Sequence, residues 1–225
     1  MWGQKKEFLP MPSSLNKDQL SVLGSTVSAF ASCPQIDLIV ITVQDGEEEK
    51  ARSCLPTELI ESQDRIIFTT GGPSRRSSVH KALLHLKEYE PSHVLIHDGA
   101  RPWIKTNLIE EIIEGSLQHG AVIPVLPLVE TPKELNGIKP GFIKAHLRRK
   151  YLCTAQTPQG FSYPEILKAH EKASEKEQEG FEYTDDAEVW GEFIGEVAVI
   201  PGDPGNKKIT YPEDIKLCAF APLRD

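Results

Sequence analysis

Asp98 and Arg101 stand three residues apart at the end of a short apolar run, a pairing of residue types suited to phosphate chemistry. Val94, Leu95 and Ile96 read as a buried parallel strand, so Asp98 falls at its carboxyl end. Ligands of open α/β sheets sit in the crevice beyond the carboxyl ends of the strands. A carboxylate there suits Mg²⁺, which favours hard oxygen ligands and substrate phosphates. The planar fork of Arg101 pairs with phosphate oxygens, and Pro102 ends the strand. The same residues also fit a surface turn in which Asp98 and Arg101 pair with each other. The stretch by itself leaves both readings open.

Four other clusters carry candidate chemistry. Lys5 and Lys6 precede the apolar pair Phe8-Leu9, where an ammonium group can meet a phosphate or simply stay solvated. Gly71 and Gly72 follow a strand pattern and open a helix that contains Arg75 and Ser78. Glycines allow close backbone approach, and a helix start offers N–H groups to an anion or a nucleobase carbonyl. An ordinary serine-capped turn fits too. Thr131-Pro132-Lys133, Arg148-Arg149-Lys150 and Thr157-Pro158-Gln159 form a third, partly basic group, a phosphate clamp or a solvated face. Asn206-Lys207-Lys208 precedes a short strand, a place for an anion or for a surface loop. His93 and His97 share one face of a strand but have no third ligand near in sequence, so they make no metal pattern.

These residues need a scaffold, and the apolar periodicities supply one. Helices are expected over 21–31, 47–55, 76–89, 105–118, 163–176, 184–192 and 212–219. Strands are expected over 36–43, 65–69, 94–97, 121–125 and 197–200. Alternation of this kind predicts a mainly parallel sheet with helices on its faces. Residues 128–155 break it. Asn136-Gly137 signals a two-residue hairpin turn, so this stretch reads as a β-arm leaving the sheet. Thr184 is expected to cap its helix. The chain reads as a single domain, 1–225, with one arm.

Composition narrows the function. The net charge of −8 lacks the basic footprint of a nucleic-acid binder. No apolar run reaches the length of a membrane span. Cys33, Cys54, Cys153 and Cys218 are scattered without a Cys-x-x-Cys pair, which suits reduced thiols in the cytoplasm.

Taken in order, the clusters resemble the 2-C-methyl-D-erythritol 4-phosphate cytidylyltransferase family of nucleotidyltransferases. The matching pieces are Lys6-Glu7-Phe8-Leu9, Gly71-Gly72 with Arg75 and Ser78-Val79, His97 to Pro102, Thr131-Pro132-Lys133, Arg149, Thr157-Pro158-Gln159, Thr184-Asp185-Asp186, Lys208-Ile209-Thr210 and Pro212-Glu213-Asp214. The resemblance implies a Rossmann-like three-layer αβα fold. It implies transfer of CMP from CTP to 2-C-methyl-D-erythritol 4-phosphate with Mg²⁺, releasing pyrophosphate, in isoprenoid biosynthesis. By resemblance, Lys6 stabilises transition-state charge, while Arg149 and Lys208 hold the attacking phosphate in line. Gly72 and Ser78 contact the cytidine, and Asp98 meets the nucleotide and its metal. Arg101, Thr131, Thr157 and Thr184 surround the alcohol phosphate. The arm reaches across a homodimer, so Thr131 and Arg149 are expected to serve the neighbouring subunit's site.

Two departures from the family pattern stand out. Pro73 replaces a common acid after the two glycines, which puts one cytidine contact in doubt. Met1 aligns with the methionine of an Arg-Met-Gly phosphate loop, so the family's first strand and that loop are missing from this sequence. Losing a central strand leaves unpaired backbone groups at about 1–3 kcal/mol each, against a total stability of about 5–15 kcal/mol. The expectation is therefore that Met1 is an internal methionine of a longer product. Two alternatives are a cytidylyltransferase for another polyol phosphate, such as ribitol 5-phosphate, and a non-catalytic binding or scaffold homologue.

Overall fold

A computed structural model describes residues 5–12, 20–61, 65–137, 141–178, 181–211 and 214–215. The expected last helix over 212–219 lies almost wholly outside them. The strands are β1 (Ile39–Val43), β2 (Ile66–Thr70), β3 (His93–Ile96), β4 (Ala121–Pro127), β5 (Lys133–Asn136), β6 (Phe142–His146), β7 (Cys153–Ala155), β8 (Gln159–Ser162) and β9 (Ala198–Pro201). The helices are α1 (Val22–Ala31), α2 (Glu48–Arg52), α3 (Thr57–Glu61), α4 (Arg75–His85), α5 (Thr106–His119), α6 (Tyr163–Gln178) and α7 (Asp186–Phe193). Among the described residues, no helix is long and apolar enough to cross a membrane.

The layering follows from strand alternation, since neighbouring side chains face opposite sides of a sheet. Val94 packs with Phe161, Ile166 and Trp190 on the side of α6 and α7. Leu95, its neighbour, packs with Ile109 and Ile112 of α5 and Phe30 of α1 on the other. Ala121 and Ile123 follow Val94, and Val122 follows Leu95. Each fully buried side chain of this size is worth about 1.5–3 kcal/mol, so the two cores hold three layers together. A Cβ on Gly160 would lie 2.7 Å from Ile112 Cγ2, so glycine is what lets α5 sit this close to β8. On the other face Arg76 is buried between α4 and α6, paired with Glu177 at 2.6 Å and donating to the His170 carbonyl.

Where the sequence suggests one mainly parallel sheet, the described strands form a mixed five-stranded sheet (β3, β8, β4, β7, β9), a separate β1–β2 pair and the β5–β6 hairpin. β1–β2 and β4–β9 are parallel. β8 is antiparallel to both β3 and β4, and β7 is antiparallel to β4. β7 and β8 arise because the chain returns from the arm along the same edge of β4, with a break at 156–158. Pro158 cannot donate to a ladder, and the break falls there. Among the described strands β1 pairs only with β2 and β3 only with β8.

The arm is present as the β5–β6 hairpin, but its turn corrects the sequence reading. Asn136 pairs with Phe142, so residues 137–141 make the connection instead of a two-residue turn. Gly137 has the positive φ expected of it. Residues 153–155 belong to the main sheet as β7, which shortens the arm at that end.

Candidate active site

Asp98 lies just beyond β3, as the sequence indicates, and accepts two cations on one oxygen. Arg101 Nε is 3.0 Å and Lys208 Nζ 3.1 Å from Asp98 Oδ2. The Asp98–Arg101 pair is thus real, but it is largely buried and joined by a lysine from 110 positions further along the sequence, which a simple surface turn does not explain. Burial alone would raise the Asp98 pKa. Lys208 and Arg101 outweigh it and hold the carboxyl below its ordinary value, so it is a carboxylate at neutral pH.

Strand register delivers Thr157 to the same place. Gln159 sits opposite Ile96 in the antiparallel β3–β8 pair. Two residues earlier, Thr157 is therefore level with Asp98, and its Oγ1 accepts the Asp98 N–H at 3.1 Å. Asn206 completes the frame. It is 0 % exposed, its Nδ2 donates to the Thr157 carbonyl at 2.8 Å, and its own carbonyl accepts Arg101 Nη1 at 2.9 Å. Asn206 thereby ties the loop carrying Lys208 to both Thr157 and Arg101.

The glycine loop forms a second wall. Ser74 caps α4 in a reciprocal box with Ser77. The Ser78 hydroxyl accepts the Gly72 N–H at 2.9 Å and donates to the Ser74 carbonyl at 2.8 Å. A Cβ on Gly72 would fall 2.2 Å from Ser77 Oγ, so the loop closes onto the helix only with glycine there. Arg75 joins this wall to a third. It pairs with the buried Asp186 at 2.6 Å. Burial opposes its charge, but Asp186 and, more distantly, Asp98 raise the Arg75 pKa.

Thr184 stands on that third wall, with a different partner from the expected one. Asp185, not Thr184, caps α7, accepting the Glu188 N–H. The longer aspartate side chain reaches the helix N–H, while the Thr184 hydroxyl donates to Glu188 at 2.9 Å. Gln159 links this wall to β8: Nε2 donates to Asp185 at 2.9 Å and Oε1 accepts the Ala187 N–H.

Lys6 lies in a 3-10 turn, Lys6–Phe8. Its charge reaches Asp214, and the neighbouring Glu7 side chain lies beside Gly99. Asp98, Arg101, Thr157 and Lys208 are thus joined directly, while Gly72, Ser78 and Thr184 stand on walls tied in through Arg75 and Gln159. Thr131 and Arg149 are not. Thr131 is exposed at the foot of the arm, and Arg149 donates to the Val129 carbonyl there. No contact among the described residues brings either to Asp98 in this chain.

His97, Gln159 and Asn206 are the frame members to which sequence reasoning assigns no role. Each stands inside a motif, but nothing in one sequence marks a buried amide within the polar stretch 203–208. For a metal, the donor set is a single carboxylate. Among the described residues no three His, Cys, Asp or Glu side chains gather. An ionised Asp98 still fits Mg²⁺, which commonly takes one or two carboxylates plus phosphate oxygens.

His97 has a measurable signature. Its pKa is lowered to about 4, mainly because charging it in this enclosure costs solvation. The unfolded chain binds a proton near the ordinary 6.5, so between these values it takes up more protons than the folded one. Stability is therefore full above about 6.5 and falls as pH drops toward 4, by about 3 kcal/mol at most. Urea unfolding followed across this window is expected to show that slope, and His97→Phe to flatten it. An unchanged slope in the variant would assign it to other groups.

Comparison with known proteins gives a consistent picture. The family model IspD, 2-C-methyl-D-erythritol 4-phosphate cytidylyltransferase, matches residues 6–223. The chain is 37 % identical over 199 residues to the bifunctional enzyme IspD/IspF of Brucella abortus, covering 88 % of this chain and 48 % of that protein. It thus spans about half the length of the bifunctional relatives it matches. It is 35 % identical over 218 residues to 2-C-methyl-D-erythritol 4-phosphate cytidylyltransferase of Acidobacterium capsulatum, covering 96 % of this chain and 87 % of that one. The crystal structure of 4-diphosphocytidyl-2C-methyl-D-erythritol synthase from Anaerococcus prevotii superposes with a TM-score of 0.77 at 27 % identity, covering 90 % of this chain and 86 % of that one.

Proposed function

The chain belongs to the 2-C-methyl-D-erythritol 4-phosphate cytidylyltransferase family, and from that premise we propose that it transfers CMP from CTP to 2-C-methyl-D-erythritol 4-phosphate. The observation that carries this reading is the meeting of Lys208 and Arg101 on Asp98 Oδ2. A phosphate oxygen of the alcohol substrate attacks the α-phosphorus of CTP. The new P–O bond forms as the bond from that phosphorus to the β-phosphate bridging oxygen breaks, and pyrophosphate leaves with the electron pair. No redox step is involved. Negative charge concentrates at the α-phosphorus, so positioned cations do most of the work.

In this reading Lys208 and Arg101 exchange their carboxylate partner for substrate oxygens. Gly72, Ser78 and the start of α4 receive the cytidine, and Thr157 and Thr184 border the alcohol. Asp98 would hold Mg²⁺, which when bound supplies charge neutralisation on the triphosphate. Lys6 approaches the same turn from the N-terminal side. The free thiols of Cys33, Cys54 and Cys153 suit work in the cytoplasm.

The active unit in this proposal is a homodimer. Val129, Leu135, Phe142, Ile143 and Tyr151 are exposed on or beside the arm, and a lone two-stranded hairpin is marginal in water. Exposed apolar side chains of this size suit protein contact. A second copy seated there would receive Thr131 and Arg149, which have no place in their own chain's frame.

The decisive experiment is pyrophosphate release from CTP with 2-C-methyl-D-erythritol 4-phosphate and, separately, ribitol 5-phosphate. Turnover with the former is expected. Turnover with ribitol phosphate alone would reassign the substrate, and CTP binding without turnover on either would favour a scaffold role. Mixing inactive Lys208→Ala and Arg149→Ala subunits is expected to restore part of the activity, because one site in the mixed dimer is then intact. No restoration would place Arg149 outside the partner's site.

A further inference from the structure

We infer that His97 is a positioning residue: its neutral ring carries the proton on Nε2, accepts the Thr157 hydroxyl at Nδ1, and so locks Thr157 to both ends of the Asp98–Arg101 turn. The inference rests on the proposed CMP transfer for its kinetic consequence, whereas the hydrogen-bond assignment rests on the contact geometry around a neutral ring.

Three contacts, with a neutral ring, set the direction of the protons. Thr157 Oγ1 already accepts the Asp98 N–H at 3.1 Å. The same oxygen is 3.1 Å from His97 Nδ1. The other ring nitrogen, Nε2, is 3.4 Å from the Arg101 carbonyl, a long contact, but one to an atom that only accepts. Nε2 must therefore carry hydrogen for that contact to be favourable. A neutral ring then has a bare Nδ1, and the one hydroxyl proton of Thr157 goes to it.

The surroundings favour the neutral ring. The ring packs against Phe30 of α1, with centroids 4.8 Å apart. Asp98 favours its charged form and Arg101 opposes it, but loss of solvation dominates. The chain of donors thus runs from the Asp98 N–H to Thr157, from Thr157 to His97, and from His97 to the Arg101 carbonyl. Arg101 N–H closes the turn on the Asp98 carbonyl at 3.0 Å. His97 therefore grips both ends of the turn that aims the carboxylate and the guanidinium.

Two consequences follow for the site. Thr157 has its proton committed, so toward a substrate it presents a lone pair and recognises a hydroxyl donor in preference to a phosphate oxygen. The turn also holds its shape before substrate arrives. Positioning errors of about 1 Å can cost on the order of a hundredfold in rate, so loosening this lock should reach turnover without any contact between His97 and the reacting atoms.

Two variants separate this role from simple packing. His97→Asn places an acceptor where Nδ1 was but loses the ring against Phe30. His97→Phe keeps the ring and removes both nitrogens. For a positioning residue, the Phe variant should unfold nearer the wild-type temperature yet lose about ten- to a hundredfold in kcat with a smaller change in KM. The Asn variant should be less stable yet more active. Activity that simply follows stability across the pair would overturn the role. Independently, long-range 15N–1H NMR of the unmodified protein at pH 7 should show the Nε2–H tautomer. A proton on Nδ1, or an imidazolium, would overturn the assignment. An unmodified protein without CMP transfer would instead count against the proposed function, and the NMR result would still decide the hydrogen bonds.

Discussion

Lys208→Ala is expected to lower the rate of CMP transfer by about two to three orders of magnitude, the usual cost of losing one preorganised charge or donor at a transition state, with little change in stability. The two effects separate because the Lys208 side chain is 41 % exposed although its ammonium meets Asp98. Such half-exposed ion pairs contribute about 0–1 kcal/mol to folding. In the proposed reaction the same charge faces a crowded, anionic phosphorus, where it acts on the barrier itself. The removal leaves Asp98 paired with Arg101, so the frame keeps its shape. Steady-state rates set beside thermal unfolding decide the matter. A loss of stability as large as the loss of rate would make Lys208 a structural lysine.

Asp98→Asn should produce a comparable loss of rate and, unlike Lys208→Ala, a visible change in folding. The amide keeps the shape of the carboxylate but not its charge. Lys208 and Arg101 then lose their shared counter-ion, and the hydrogen bonds that remain are weaker by about 1–3 kcal/mol in total. The rate should fall about a hundred- to a thousandfold, and more Mg²⁺ should be needed for half-maximal turnover. The acid limb supplies a second reading. Asp98 in the folded protein sits below the ordinary aspartate value of 3.8. The unfolded chain therefore takes the proton first as pH falls, and the stability from Asp98 is present above that value and lost as pH falls through the folded pKa. Asp98→Asn should remove this contribution. An Asn variant with wild-type rate and Mg²⁺ dependence would reduce Asp98 to an anchor for Lys208 and Arg101.

Helices and strands with clear periodicity were legible from the chain alone. The pattern for 105–118 anticipates α5 at Thr106–His119, because Leu108, Ile109, Ile112 and Ile113 fall on one face. The apolar periodicity over 21–31 anticipates α1 at Val22–Ala31. Caps that compete at neighbouring positions were harder. Thr184 and Asp185 are both good capping residues, and it is Asp185 that accepts the Glu188 N–H. The hairpin turn was misjudged because the positive φ of Gly137 says nothing about which strand residues pair across it.

The sequence by itself determined which charged residues are candidates for the chemistry. Asp98, Arg101 and Lys208 are the charged groups suited to a phosphate, and the motif order identifies the family. Tertiary structure alone decided how they work together. Where Lys208 and Arg101 converge on one carboxylate oxygen, the Asn206 carbonyl accepts Arg101 and the buried Asn206 amide holds the Thr157 carbonyl. That Thr157 meets Asp98 depends on the β3–β8 register, with Gln159 opposite Ile96. It also decided that Thr131 and Arg149 stand apart from their own chain's site. The physical reason is range. Residue type and local periodicity are written within a few neighbours along the chain, whereas a shared oxygen, a register and a hydroxyl's direction are set by groups 50 or more positions apart, and only packing brings these together.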